Sequence, residues 1–167
     1  MAGTDGESLR FVIRDMTAVD ARAVAAWRYE GEYAFYDAAA DADDLAELLD
    51  AGEWGRRYFS VDDDDALVGF VVLKASGGIV EIGLGLRPDL TGKGLGRDFV
   101  DAGLSFAAQR CGDPSFELAV AAFNERAITV YQRVGFEIVQ RYLHETNGDV
   151  HPFVRMARGP LSEGRSH

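Results

Sequence analysis

Residues 87–96 read Arg87-Pro88-Asp89-Leu90-Thr91-Gly92-Lys93-Gly94-Leu95-Gly96, and the segments on either side decide what this glycine-rich stretch is. Before it, Ile79 to about Leu86 is a β-rich run. After it, Phe99, Val100, Leu104 and Ala107 recur at helical spacing. The local order is strand, loop, helix. A loop whose backbone N–H groups no side chain covers, set at a helix N-terminus, can hold a pyrophosphate through hydrogen bonds and the helix dipole. Gly92, Gly94 and Gly96 meet that demand, and Lys93 and Arg97 either add charge or are simply solvated. A Walker A loop needs Ser or Thr after its Lys, where Gly94 stands. A dinucleotide fingerprint needs G-x-G-x-x-G, whereas Gly92 to Arg97 reads G-x-G-x-G-R. A flexible glycine turn without a ligand is the plain alternative.

Working outward, Arg10 to Met16 is a β-leaning run, and Thr17-Ala18-Val19-Asp20 matches a capping box opening a helix to Trp27. The aromatics Trp27, Tyr29, Tyr33, Phe35 and Tyr36 follow, and Leu45, Leu48 and Leu49 mark a second helix over Asp43 to Ala51. Arg57 to Val61 and Leu67 to Lys74 form a hairpin about the Asp62 to Asp65 turn. Beyond the glycine loop and its helix, Asp113-Pro114 resets the chain for a strand from Phe116 to Ala122. Asn124 opens a helix ending at Val134-Gly135. Two last strands, Phe136 to Leu143 and Val150 to Ala157, join through Asn147-Gly148, a dipeptide suited to a tight hairpin turn. The order β, α, α, β, β, β, α, β, α, β, β predicts an α/β (α+β) fold: a mixed six- to seven-stranded sheet, largely antiparallel at first, with helices on both faces. One domain over 1–167 is expected, ordered from about 9 to 158, with flexible termini.

The formal net charge is −11. That argues against nucleic acid, whose phosphates demand a basic face. No stretch approaches the roughly 20 apolar residues of a membrane span, and Met1 to Arg10 carries no apolar signal region, so a cytoplasmic chain is expected. Cys111 is the only cysteine, and His144, His151 and His167 show no metal spacing, so neither a disulfide nor a metal site is expected. Lysine occurs only at Lys74 and Lys93, while aspartates crowd at Asp41, Asp43, Asp44 and Asp62 to Asp65. This bias suggests a halophilic setting, where molar salt shortens the Debye length to about 3 Å and quiets the repulsion. The competing reading is an acidic funnel for a cationic substrate.

A second segment, Asn124-Glu125-Arg126-Ala127-Ile128-Thr129-Val130-Tyr131-Gln132-Arg133-Val134-Gly135-Phe136, joins the glycine loop in carrying a resemblance. On its own it reads as a capped helix, with Asn124 as N-cap, Phe123 and Ile128 as a staple and Gly135 past the C-terminus. Together the two segments resemble the GNAT superfamily of CoA-dependent N-acyltransferases, over essentially Arg10 to Arg158. The loop is similar to the family's [QR]-x-x-G-x-[GA] signature and the segment to its N-x-x-A-x-x-x-Y-x-x-x-G-F pattern. Thr91 departs, standing where the family has Gln or Arg, which puts one pyrophosphate contact in doubt.

The resemblance implies acetyl-CoA, or a close acyl-CoA relative, as co-substrate and a primary amine of a small molecule or protein as acceptor. It implies that Leu84, Gly85 and Leu86 meet the thioester, with a backbone N–H near Gly83 to Leu86 facing the oxyanion. Thr91 to Arg97, with Leu95 among them, would hold the pyrophosphate, Asn124 would contact the CoA arm, and the Tyr131 hydroxyl would protonate the departing thiolate. Removing a proton from an ammonium of pKa about 10.4 needs a carboxylate. Glu81 resembles the family's base on this strand, though a solvated strand-face Glu fits equally. Relatives with a glutamate on the following strand find Ala119 here. Gly83 and Gly85 suggest a bulge or a close approach, or relief of crowding. Trp27, Tyr29, Tyr33 and Tyr36 are candidates to line an acceptor pocket, although such clusters more often form core; His144, Glu145 and His151 read as surface. Family members are often dimers, but no residue here marks an interface. The alternative function is a non-catalytic acyl-CoA sensor.

Overall fold

The computed structural model describes residues 10–164. Seven strands form one sheet in the order β1-β2-β3-β4-β5-β7-β6. They are β1 (Phe11–Asp15), β2 (Tyr58–Asp63), β3 (Ala66–Ser76), β4 (Ile79–Leu86), β5 (Ser115–Ala121), β6 (Glu137–Thr146) and β7 (Asp149–Arg158). The helices are α1 (Ala18–Ala26), α2 (Ala42–Leu48), α3 (Gly96–Cys111), α4 (Glu125–Arg133) and a single turn α5 (Leu161–Gly164). The element order expected from the sequence is thus observed. Among the described residues the only parallel strand pair is β4 with β5, and α3 supplies the crossover that such a pair requires. No described helix is long and apolar enough to cross a membrane.

Local chemistry accounts for the element ends. The Thr17 hydroxyl accepts the Asp20 N–H at 3.2 Å while the Asp20 carboxylate accepts the Thr17 N–H at 3.0 Å, closing the capping box on α1. Asp41 caps α2 and Asn124 caps α4 in the same manner. The Asn147-Gly148 turn has φ of 53° and 79°, matching the right-handed twist of its strands. The acidic turn is shorter than its aspartate run. Only Asp64 and Asp65 take positive φ within the run, while Asp62 and Asp63 remain in β2, where Arg14 of β1 and Arg10 just before it bind their carboxylates. At the C-terminal side, residues 159–164 are not a loose tail: Leu161 packs against the main core. The expectation for residues 1–8 lies outside the described residues.

Strand alternation divides the sheet into two faces. Val80 and Ile82 of β4 and Phe116, Leu118 and Val120 of β5 point to α3, where they meet Phe99, Val100, Leu104 and Ala107 in the main core. Burying each such side chain contributes about 1.5–3 kcal/mol. On the other face, Met16, Ala21, Val24, Leu48 and Tyr58 form a smaller core beneath α1 and α2. Glu81, Gly83, Gly85 and Ala119 alternate onto this second face.

Candidate active site

The site begins where β4 and β5 part. Their pairing is confined to Ile79 with Ser115, Val80 with Phe116 and Glu81 with Glu117. Beyond that point β5 stays paired with β7, and β4 stays paired with β3 through Leu86. The edge of β4 from Ile82 to Leu86 therefore faces a wedge with no strand opposite. The register of β3 and β4 is unbroken, so Gly83 and Gly85 make no bulge. Gly85 serves a close approach: a Cβ there would stand 2.2 Å from the Phe70 ring.

A cavity of about 570 Å³ fills the wedge. Of the residues assigned to CoA, Leu84, Gly85, Leu86, Thr91, Gly92, Gly94, Gly96, Asn124 and Tyr131 line it. Lys93, Leu95 and Arg97 do not. Gly92 and Gly94 have φ of 73° and 80°, the left-handed conformations that glycine adopts without strain. The Thr91 hydroxyl donates to the Pro88 carbonyl at 2.8 Å and so is spent on its own turn. The Asn124 side-chain oxygen accepts the Ala127 N–H at 3.1 Å, and the nearby Tyr36 hydroxyl accepts the Ala121 N–H at 3.1 Å. Burial, helped by nearby Tyr36, pushes the Tyr131 phenol above its ordinary value, so the hydroxyl keeps its proton at neutral pH.

A second cavity, of about 310 Å³, opens on the α1/α2 side. Tyr29, Tyr36, Phe70, Ile82, Gly83 and Ala119 line both cavities. The two thus adjoin at the parted strands, and Ala119 lies between them. Glu81 lines only the second cavity, opposite Lys74 in the register. Asp37, Asp44 and Glu47 join it there. Glu47 accepts from Tyr58 at 2.8 Å and pairs with Lys74 at 3.1 Å. The Asp44 carboxyl is raised by burial and by the neighbouring Asp41 and Glu47 carboxylates. Four carboxylates face one ammonium in this cavity, whereas the first cavity is lined by no carboxylate and one cation, Arg126. Among the described residues, no cluster of His, Cys, Asp and Glu could hold a metal ion.

Trp27 packs against the smaller core, while Tyr29, Tyr33, Phe35 and Tyr36 belong to neither core and form cavity wall. Residues Gly31–Tyr36 form a 3-10 helix with no buried residue, because their rings stand over the gap in the sheet. Tyr33 lines only the first cavity and Trp27 only the second. The Tyr29 hydroxyl donates to the Leu86 carbonyl at 2.6 Å and so ties this segment to the end of β4. His144 is exposed, as read from the sequence, although it also lines the second cavity, whereas His151 is half-buried and stacks edge-on against Phe35 with centroids 4.8 Å apart. Sequence reasoning missed Asn147. Its side-chain amide donates to the Phe35 carbonyl at 2.7 Å and its backbone N–H to the Asp41 carboxylate at 3.0 Å. Only its turn role is visible locally, since both partners are more than a hundred positions away.

Wedge, glycine loop and capped helix define a class of acyl-transfer fold, and comparison with known proteins places the chain within it. Residues 10–137 match the family model described as "Acetyltransferase (GNAT) domain". The chain belongs to the GNAT acetyltransferase family. It is 41% identical over 76 residues to a mycothiol acetyltransferase of Clavibacter sepedonicus, covering 45% of this chain and 25% of that protein. It is 32% identical over 100 residues to the peptidyl-lysine N-acetyltransferase YjaB of Escherichia coli strain K12, covering 60% and 62%. The match thus spans a quarter of the first relative and under two thirds of the second. In three dimensions the chain is similar to the spermidine N-acetyltransferase of Vibrio cholerae in complex with CoA and spermine, with TM-score 0.71, 21% identity and 91% and 96% of the two chains covered. A chimera of that enzyme with hSSAT gives TM-score 0.76 at 22% identity, covering 95% and 99%.

Proposed function

We propose that the chain is an N-acetyltransferase that moves an acetyl group from acetyl-CoA to the primary amine of a cationic acceptor by direct attack. The observation that carries this reading is that two cavities of opposite charge adjoin at the parted strands. The cradle fits CoA: the loop glycines leave backbone N–H groups uncovered beside the α3 N-terminus, and the free β4 edge can pair with an extended pantetheine arm as an added strand. In the proposed reaction a backbone N–H between Gly83 and Leu86 steadies the oxyanion. Tyr131 gives its proton to the departing sulfur. Glu81, on the acceptor side, takes the amine's proton directly or through water. Holding both reactants at one junction supplies the proximity such a reaction needs, and no residue has to become acylated.

The acceptor cavity favours a cation, because its four carboxylates outnumber the single ammonium of Lys74 that faces them. Spermidine and peptidyl-lysine, the acceptors named for the V. cholerae and E. coli proteins, are both cations at neutral pH. A sensor that only bound acyl-CoA would need the first cavity alone; the second, opening at the same junction, favours catalysis. The acidic, lysine-poor composition supports a halophilic cytoplasm as the working environment. Thiol release from acetyl-CoA, followed over polyamines, aminoglycosides, amino acids and N-terminal or lysine peptides, tests the reading. Release with cationic amines is expected. Binding of acetyl-CoA with no release on any amine would overturn catalysis in favour of the sensor.

A further inference from the structure

We infer that Arg126 is the cation that grips the CoA pyrophosphate, a role that falls to it because Thr91 cannot perform it. The inference rests on the acetyl-CoA reading above. Among residues lining the donor cavity, Arg126 is the only charged one. Its guanidinium lies over the Tyr33 ring at 4.3 Å and is aimed at the glycine loop: a Cβ on Gly92 would come within 3.2 Å of Nη1. Gly92 thereby leaves the guanidinium room, in addition to its own positive φ of 73°.

Three further observations point to an anion at this spot. Arg126 stands in the first turn of α4, where the helix dipole disfavours a cation by a few tenths of a kcal/mol to about 1 kcal/mol. Among the described residues it has no carboxylate partner, in a chain with 28 acidic residues. Its neighbours across the gap are the uncovered N–H groups of the glycine loop and the start of α3, which also attract negative charge. A guanidinium held over an aromatic ring is restrained, and its fork of donors suits two phosphate oxygens. Thr91 occupies the position where the family signature has Gln or Arg. Its hydroxyl proton already goes to Pro88, so it offers no donor to a phosphate. Lys93 and Arg97, the other cations of the loop, lie outside the cavity lining.

The test compares two acetyl donors at one fixed salt concentration: acetyl-CoA, and S-acetylpantetheine, which has the thioester but no pyrophosphate. Arg126→Ala should weaken acetyl-CoA binding by about 10- to 100-fold, as expected for charge-assisted hydrogen bonds. It should leave kcat/KM with S-acetylpantetheine unchanged. Arg126→Lys, which keeps the charge but loses the fork, should fall between. Introducing Thr91→Arg into Arg126→Ala should recover acetyl-CoA affinity. Unchanged acetyl-CoA affinity in folded Arg126→Ala would overturn the inference while sparing the acetyltransferase reading. An equal loss with both donors would overturn it too, reducing Arg126 to packing on Tyr33. If wild-type protein binds no acetyl-CoA, the underlying reading fails first and this one with it.

Discussion

Gly85→Ala isolates the fit between β4 and the ring beneath the junction. The added methyl would meet Phe70 at 2.2 Å to Cε1 and 2.5 Å to Cζ. Ordinary carbon contacts lie near 3.5–4.0 Å, so the ring must retreat by more than about 1 Å. Gly85 has no positive φ, so alanine meets no backbone strain, and its stiffer unfolded chain should even return about 0.4–1 kcal/mol. The steric term works alone against that gain. Phe70 packs against Trp27 with centroids 6.3 Å apart and lines both cavities, so a retreating ring disturbs packing and narrows the junction. Overpacking of this kind costs about 1–3 kcal/mol, which for a chain of this size lowers Tm by roughly 2–12 °C. Thermal unfolding and acetyl-CoA calorimetry read the two effects, and both should appear together. Phe70→Leu added to Gly85→Ala should restore part of each, a coupling that a double-mutant cycle measures. Full stability with unaltered acetyl-CoA affinity in Gly85→Ala would refute the steric account.

Tyr131→Phe should lower kcat by about 100-fold or more while leaving acetyl-CoA affinity nearly intact; unchanged turnover would remove the hydroxyl from the reaction. Glu81→Gln should reduce activity most at low pH, where the acceptor amine is most protonated, and a loss independent of pH would make Glu81 structural. Asp20 provides a pH test of the fold. Burial alone would raise its carboxyl, but hydrogen bonds from Arg14, Ser60 and Thr17 outweigh burial and hold it at about 2, below an ordinary 3.8. A folded value below the unfolded one means stability that is present above about pH 4 and lost as pH falls toward 2, amounting to about 2 kcal/mol. Asp20→Asn should therefore destabilise at pH 7 and do so less near pH 2, measured by urea unfolding; an equal loss at both would contradict this. Raising salt from millimolar to molar should raise Tm if repulsion among the 28 acidic groups opposes folding, and a flat response would count against halophilic adaptation.

Periodicity and punctuation were enough to place the elements, because helix caps and turns are short-range chemistry. Thr17, Asn124 and Asn147 each declare a boundary within four residues of themselves. The second motif likewise marked Asn124 and Tyr131, and both line the first cavity. What stayed hidden depends on contacts across the sheet. The rings between Trp27 and Tyr36 look like core in one dimension, since nothing local reveals that the strands beneath them part. Lys93 and Arg97 sit in the loop but outside the lining of the first cavity, whereas Arg126, on α4, belongs to it. Arg126 was overlooked because its two neighbours, Tyr33 and Gly92, are 93 and 34 positions away in the chain. The lysine and aspartate bias was legible as charge, but not its division between a first cavity free of carboxylates and a second with four.

The bonds made by Asn147 give the acceptor side a built-in reporter. Its backbone hydrogen is held by Asp41 across 106 positions of chain, between the tip of the last hairpin and the cap of α2. That hydrogen exchanges with solvent when this bond opens, as it does when hairpin and helix separate, an opening far smaller than global unfolding. An amine lodged between these two walls binds the closed form alone, so it slows exchange at this one site by the factor 1 + [L]/Kd. Ranking a library of amines by the lifetime of a single amide proton would then identify the acceptor before any turnover is observed.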